Sequence, residues 1–204
     1  MYERFAEHIK SNLLLGEGKR ILLAVSGGVD SMVMANLFNN QGIDTGIAHC
    51  NFQLRGNDSE MDQELVLSEA RRLGVKSYTV RFDTTDYARD NKVSVQMAAR
   101  DLRYDWLESI RQKHSFDLIA TAHHLDDSIE TLLINLLRGT GIEGLKGIPV
   151  KSGNVIRPLL FATREEIEKF ASDKKIRFRE DHTNRQTKYL RNKIRHEIIP
   201  LMKE

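Results

Sequence analysis

Apolar and polar positions switch between two periods along the chain, and each switch marks an element. Residues 20–25, RILLAV, form a short run rich in strand formers and predict a buried strand. A helix follows over 31–41 and stops at Gly42. Residues 45–51 predict a second strand. A helix over 59–73 starts with Ser59 and Asp62 spaced like a capping box and ends at Gly74. Alternation over 77–83 predicts a third strand. In the long segment 94–114, Val95, Ala99, Leu102, Trp106 and Ile110 recur at three- and four-residue spacing, as on one stripe of a helix. A fourth strand over 118–123, an apolar helix over 127–138 stopped by Gly139, and a fifth strand over 156–160 come next. A helix over 163–174 carries Thr163 and Glu166 as a second capping box.

Strand and helix thus alternate about five times, the pattern of an α/β fold. It predicts a mostly parallel five-stranded sheet with helices on both faces. Sheets of this kind take ligands beyond the carboxyl ends of their strands. Three polar clusters fall at such ends, over 26–31, 49–58 and 123–127. Residues 1–180 form the predicted domain. Residues 181–204 leave the alternation and predict a basic loop followed by a helix over 188–199.

Composition narrows the classes. Charged residues are 29% and hydrophobic ones 40% of 204, a globular balance. One cysteine, Cys50, excludes an internal disulfide framework and a multi-cysteine zinc site. The opening MYERFAEHIK is no apolar signal, and no apolar run reaches the roughly 20 residues that span a bilayer. A cytoplasmic protein is expected. The net charge of +2 argues for no partner, but from Arg177 onward eight Lys/Arg face four Asp/Glu. That tail suits a polyanion or, equally, a solvated helix face.

The turn Ser26-Gly27-Gly28-Val29-Asp30-Ser31 carries the chemistry. Two glycines let backbone approach a ligand, and the free amides of the next helix favour an anion. Ser26 and Ser31 add hydroxyls. Asp30 is odd there, because it repels phosphate; a bridging Mg²⁺ would resolve the conflict. A plain turn with Asp30 or Ser31 as helix cap is the alternative. The spacing is neither GxxxxGK[ST] nor GxGxxG.

SGGVDS after an apolar strand resembles the pyrophosphatase loop of the N-type ATP pyrophosphatases, the PP-loop proteins of adenine nucleotide alpha hydrolase-like fold. The segments HCNFQLRGNDSEMD, TAHHLDDSIETLLINLLRGTGIEGLKGIP, IRPLL and EDHTNRQTKYLRNKIRHEIIP resemble the tRNA isoleucine lysidine synthetase family, and together they run along nearly the whole chain. The resemblance implies ATP and Mg²⁺ as cofactors, free L-lysine as a substrate, and an isoleucine tRNA with a CAU anticodon as the partner. It implies that C2 of the wobble cytidine is adenylated and then attacked by lysine, leaving AMP and pyrophosphate. Ala24, Ser26, Gly27, Gly28, Asp30, Ser31 and His124 match the family's ATP site, and Asp30 and Asp127 its metal contacts. Asp30, Asp127 and Arg55 are the implied catalytic residues. Arg55, Arg138, Lys188 and Arg191 are the implied tRNA contacts. Family members continue into further helical and C-terminal domains, so the segment 181–204 would open a downstream helical region. The oligomeric state stays open, a homodimer included.

Several residues keep a plainer reading. Asp127, with Glu130 three residues on, has the spacing of a helix cap. Arg55 has Asp58 and Asp62 at hand for an ion pair. Asn192 and Arg195 suit RNA, beside Tyr189, or a tie to the core. His49 reads as a structural strand end, Cys50 as a small buried residue. Phe52 stands where relatives commonly have His, and Ser128 where they often have Gln. The rival functions are another PP-loop tRNA modifier and a non-catalytic ATP-binding module. Sulfur transfer ordinarily needs two cysteines, and amidotransfer a glutaminase; the chain has Cys50 alone.

Overall fold

The computed structural model describes residues 1–12, 14–16, 18–141, 145–180, 193–199 and 201, the side chains of 195 and 196 excepted. Its elements run α1 (Tyr2–Ser11), β1 (Ile21–Ala24), α2 (Val29–Asn40), β2 (Thr45–Asn51), α3 (Asn57–Leu73), β3 (Lys76–Arg81), α4 (Thr84–Asp90), α5 (Val95–Lys113), β4 (Leu118–Ala120), α6 (Leu125–Leu137), β5 (Lys151–Ser152), β6 (Val155–Ile156) and α7 (Arg164–Asp173), with a π-helical turn over Ile194–Ile198. The sheet has six strands, not five, in the order β3-β2-β1-β4-β6-β5. All pairs are parallel except β5 with β6, a hairpin closed by Gly153 and Asn154.

Strand period sorts the core. Ile21, Leu23, Ile47, Leu118 and Ala120 face one side, where they bury against α1, α2, α3 and α7. Their neighbours Leu22, Ala48 and Ile119 face the other side, against Leu107 of α5 and Phe116. The period of two therefore sends alternate residues into two separate clusters, as a sheet covered on both faces requires. Along α5 the buried positions are Ala98, Ala99 and Leu107, while Val95, at the head of the predicted stripe, is exposed. Trp106 and Ile110 are half-buried on the second cluster. Helix α6 is the most apolar in sequence, yet only Glu130 of it is buried. No helix among the described residues is long and apolar enough to cross a membrane.

Several element ends differ from those predicted, each for a local reason. Helix α2 starts at Val29 with Gly28 as its N-cap, so neither Asp30 nor Ser31 caps it. Helix α3 starts at Asn57, and the Ser59–Asp62 capping box does not form. Ser59 Oγ instead accepts the Arg55 amide at 3.2 Å, and Asp62 is drawn into ion pairs. The fifth predicted strand shrinks to Val155–Ile156, because Pro158 has no N–H for the ladder and restricts Arg157 before it. The Thr163–Glu166 box is formed in both directions, at 2.9 and 3.2 Å.

Strand order places the site. From β1 the chain steps outward to β2 and β3, then returns to set β4 on the other flank of β1. The reversal at β1/β4 is the point where open α/β sheets form a ligand crevice. The segments after these two strands are the glycine turn and the His123–Asp127 cluster.

Candidate active site

The turn after β1 is held by its own hydroxyls. Ser31, 4% exposed, accepts the Ser26 amide at 3.1 Å and donates to Gly28 O at 2.9 Å. The Ser26 hydroxyl lies 3.3 Å from that of Ser31 and 3.4 Å from the Gly28 amide. Gly27 has φ +96°, a left-handed conformation that side chains strain to adopt. Its carbonyl accepts the Arg179 amide at 3.0 Å, so a distant segment fixes the turn from outside. Ala24 ends β1 opposite Ala48 of β2.

Asp30, in the first turn of α2, points into a charged group. Its Oδ2 takes a 2.6 Å bond from Arg164, the first residue of α7. Its Oδ1 is buried without a hydrogen-bond partner. Burial pushes the carboxyl's pKa up; Arg164 and then His124 oppose that, and Asp127 adds to it. His124 Nε2 lies 3.9 Å from Asp30 Oδ1 and 3.5 Å from Asp127 Oδ2. One imidazole thus stands between the acid of the first turn and the acid of the fourth strand's end, although the two are far apart in sequence.

Asp127 is also a cap, though displaced from the predicted one. The N-cap of α6 is His124, whose amide donates to Asp127 Oδ2 at 3.1 Å. The box is therefore 124–127, not 127–130, and Glu130 is wholly buried inside the helix. Asp126 Oδ2 accepts the Arg164 amide at 2.7 Å and sits 3.5 Å from His124 Nδ1. Asp126 thereby joins the starts of α6 and α7, and Arg164 joins both to α2.

A divalent cation fits part of this set. Mg²⁺ is commonly held by one or two carboxylates, with waters and substrate phosphates completing its oxygens. Asp30, with its unsatisfied buried Oδ1, and Asp127 supply such carboxylates. Among the described residues no three His, Cys, Asp or Glu form a self-sufficient metal centre.

On the other side of the turn lies a second ion cluster. Asp62, 8% exposed in its side chain, accepts Arg55 at 2.5 Å on Oδ2 and Arg179 at 2.8 Å on Oδ1. Arg179 also reaches Asp58 at 2.6 Å. Asp62 packs on the turn, since a Cβ at Gly27 would stand 3.5 Å from the Asp62 Cβ. Arg55 thus has the ion pair that its plainer reading offered, placed behind the glycine turn. His49 is buried, with Nδ1 2.9 Å from Val25 O. Phe52 stacks on Phe82 at 5.8 Å, with Arg103 over its ring at 5.6 Å. Ser128 Oγ accepts the Ile148 amide at 3.0 Å and pins the glycine-rich loop; a side chain at Gly147, φ +66°, would run into that oxygen.

The sheet therefore gathers Ala24, Ser26–Ser31, His124 and Asp127 at one crevice, with Arg55 flanking it. Arg138 is apart, exposed at the C-cap of α6. Lys188 and Arg191 lie outside the described residues, as do Tyr189 and Asn192 and most of the predicted helix 188–199. Sequence reasoning missed Arg164 and Arg179. Neither stands in a motif, and their partners are 134 and 117 residues away.

A tRNA(Ile)-lysidine synthase of Porphyromonas gingivalis is 46% identical over 198 residues, covering 96% of this chain and 44% of that protein. One from Chlorobaculum tepidum is 43% identical over 206 residues, covering 99% of this chain and 62% of that protein. The chain thus spans about half the length of these relatives. Among solved structures, the U34-tRNA thiolase of Methanococcus maripaludis superposes with a TM-score of 0.73 at 18% identity, over 94% of this chain and 69% of that one, a likeness of fold. The PP-loop domain model matches residues 1–202, and the chain belongs to the PP-loop domain family.

Proposed function

We propose that this chain is the catalytic domain of a tRNA(Ile)-lysidine synthase, which joins L-lysine to C2 of the wobble cytidine in the CAU-anticodon isoleucine tRNA at the expense of ATP. The observation that carries the reading is the 46% identity to a protein of that name over 96% of the chain. Membership of the PP-loop family brings ATP use with it. A reaction on tRNA is at home in the cytoplasm.

The residues suit two chemical steps. Oxygen is a poor leaving group from C2 of cytosine, so its attack on the α-phosphorus of ATP, expelling pyrophosphate, converts it into part of a good one. The amides and hydroxyls of Ser26 to Ser31 would hold the departing pyrophosphate. His124, 4% exposed, would lie against the phosphates and keep water from them. Asp30 and Asp127 would hold Mg²⁺, which when bound supplies charge stabilisation at the phosphates. In the second step the lysine amine attacks C2, the C2–O bond breaks, and AMP leaves with the oxygen. Asp127 faces the crevice as an acceptor for the ammonium and its proton. Arg55 would orient substrate phosphate from the other flank. Arg138, Lys188 and Arg191 would hold tRNA backbone, positioning more than specifying.

A sulfur-transfer reading finds no support in the one cysteine. Burial pushes the Cys50 thiol up to about 12, with Arg103 opposing, so it is a poor source of thiolate. Incubation with ATP, lysine and tRNA transcript tests the proposal. Pyrophosphate released only with all three present, and lysidine in the wobble nucleoside by mass spectrometry, are expected. Pyrophosphate release independent of lysine and tRNA, with an unmodified nucleoside, would exclude it.

A further inference from the structure

An acid in a phosphate cradle needs a counter-charge, and the sequence offers only a metal for it. The structure holds another. Arg164 Nη1 donates to Asp30 Oδ2 at 2.6 Å, while its Nε is held by Glu168 at 2.6 Å and its amide by Asp126 at 2.7 Å. Two bonds thus fix the guanidinium and a third holds its backbone, and only the far end of the side chain reaches the cradle. Without it, Asp30 would face Asp127 with His124 alone between them.

We propose that Arg164 is the resident counter-ion of Asp30, that it makes the turn an anion site before any metal arrives, and that a divalent cation and Arg164 compete for the same carboxylate. The proposal rests on the phosphate-site reading above. Its physical basis is charge. With Arg164 in place the charge of Asp30 is offset, and the positive end of α2 attracts pyrophosphate with less opposition from that acid. When a cation takes Asp30, the guanidinium, 41% exposed in its side chain, is released beside the phosphates and can pair with them instead. Asp30 Oδ1, buried and unpartnered, is the atom open to the cation at the start of that exchange.

Two direct titrations on this chain test it without turnover. The first is calorimetry of pyrophosphate in EDTA. Wild-type protein should bind, and Arg164→Gln should bind about tenfold more weakly or worse. The second is Mn²⁺ binding by electron paramagnetic resonance without nucleotide, where Arg164→Gln should bind about tenfold more tightly. Arg164→Lys keeps the charge and should stay within about threefold of wild type in the first titration. Asp30→Asn keeps the shape of the turn and serves if the arginine variants misfold. It should strengthen metal-free pyrophosphate binding and abolish Mn²⁺ binding. Equal pyrophosphate affinity in wild type and Arg164→Gln, or weaker metal-free binding in Asp30→Asn, would overturn the role of Arg164 alone. Wild-type protein that binds neither pyrophosphate nor ATP, with or without Mn²⁺, would overturn the phosphate site and Arg164's role together.

Discussion

Helices α2 and α6 begin alike and end up with opposite chemistry. Each follows one of two adjacent parallel strands, and each start opens on the same crevice. The start of α2 is capped by Gly28, which has no side chain to offer its first amides. The start of α6 is closed by its own acid, since Asp127 takes the His124 amide, and Asp126 goes on to cap α7. One helix end thus keeps its positive pole open to an anion, while the other spends that pole on carboxylates. The difference lies in one choice at the N-cap, Gly28 against His124 with Asp127 three residues on. A topology that places two helix dipoles side by side can so provide an anion seat and an acid cluster within reach of each other.

Removing the one acid on the anion side is the strongest way to break this division. Asp30→Ala should lower pyrophosphate release by about 100-fold or more if Asp30 holds the cation at the reacting phosphates. It should leave the protein folded, because Arg164, 41% exposed in its side chain, keeps Glu168 as a partner when Asp30 is gone. Near-normal release from a folded Asp30→Ala protein would end the metal role.

On the acid side the two duties of Asp127 can be separated. Asn accepts the His124 amide as well as Asp does, so Asp127→Asn should keep the helix start and lose about tenfold or more in lysine-dependent rate. Asp127→Ala loses the acceptor too, and should cost about 1 kcal/mol of stability besides. Melting curves and rates on the same samples check both. A silent Asp127→Asn with a destabilised Asp127→Ala would leave Asp127 as a cap and nothing more.

How much of this was legible depends on the range of the interaction. The glycine turn, the polar strand ends and the Thr163–Glu166 box are written in neighbouring residues, and they stand where the sequence put them. The cap of α6 was misplaced by three residues because Asp127 satisfies the spacing in either direction, as N-cap to Glu130 or as N3 to His124. The two-residue strands β5 and β6 are too short to show a period. Helix α1 was overlooked although Phe5 and Ile9, four apart, are its buried face. Helix α4 buries only Thr84 and Ala88, too few apolar positions to mark it. Arg164 and Arg179 could not be read at all, since both join elements on one face of the sheet that only the strand order brings together, which no local pattern encodes.

A smaller effect is expected from the hydroxyl that shapes the open helix end. Ser31→Ala removes the acceptor of the Ser26 amide and the donor to Gly28 O. It should cost about 1 kcal/mol of stability. ATP affinity should fall by about threefold to tenfold, as the turn loosens. Calorimetry with ATP and a melting curve measure the two. An unchanged ATP affinity would mean that the glycines alone set the turn.

The smallest effect sharpens the comparison through pH. His49 braces the anion side, with Nδ1 2.9 Å from Val25 O, the residue before the turn. A carbonyl only accepts, so Nδ1 carries the proton, and Nε2 is left as a buried atom without a partner. Protonating Nε2 would bury an unpaired N–H and a charge together. Burial accordingly lowers this histidine's pKa, while the Val25 carbonyl and Asp62 pull it up and Arg55 pushes it down. The sign follows from linkage. The unfolded chain takes up this proton near the ordinary value of about 6.5, before the folded protein does. The stability His49 contributes is thus intact above that value and is lost as pH falls below it, down to the lowered folded value. His8, also lowered by burial, acts in the same direction, so the readout must be a difference. His49→Asn, which can still donate to Val25 O but does not titrate, should show a shallower fall in melting temperature from neutral to mildly acid pH than wild type. The gap should be a few degrees at most, and ATP affinity should follow it because Val25 leads directly into the turn. Parallel slopes in the two proteins would show that the brace is indifferent to protonation, and would place the acid sensitivity of the fold elsewhere, among His8 and the carboxylates.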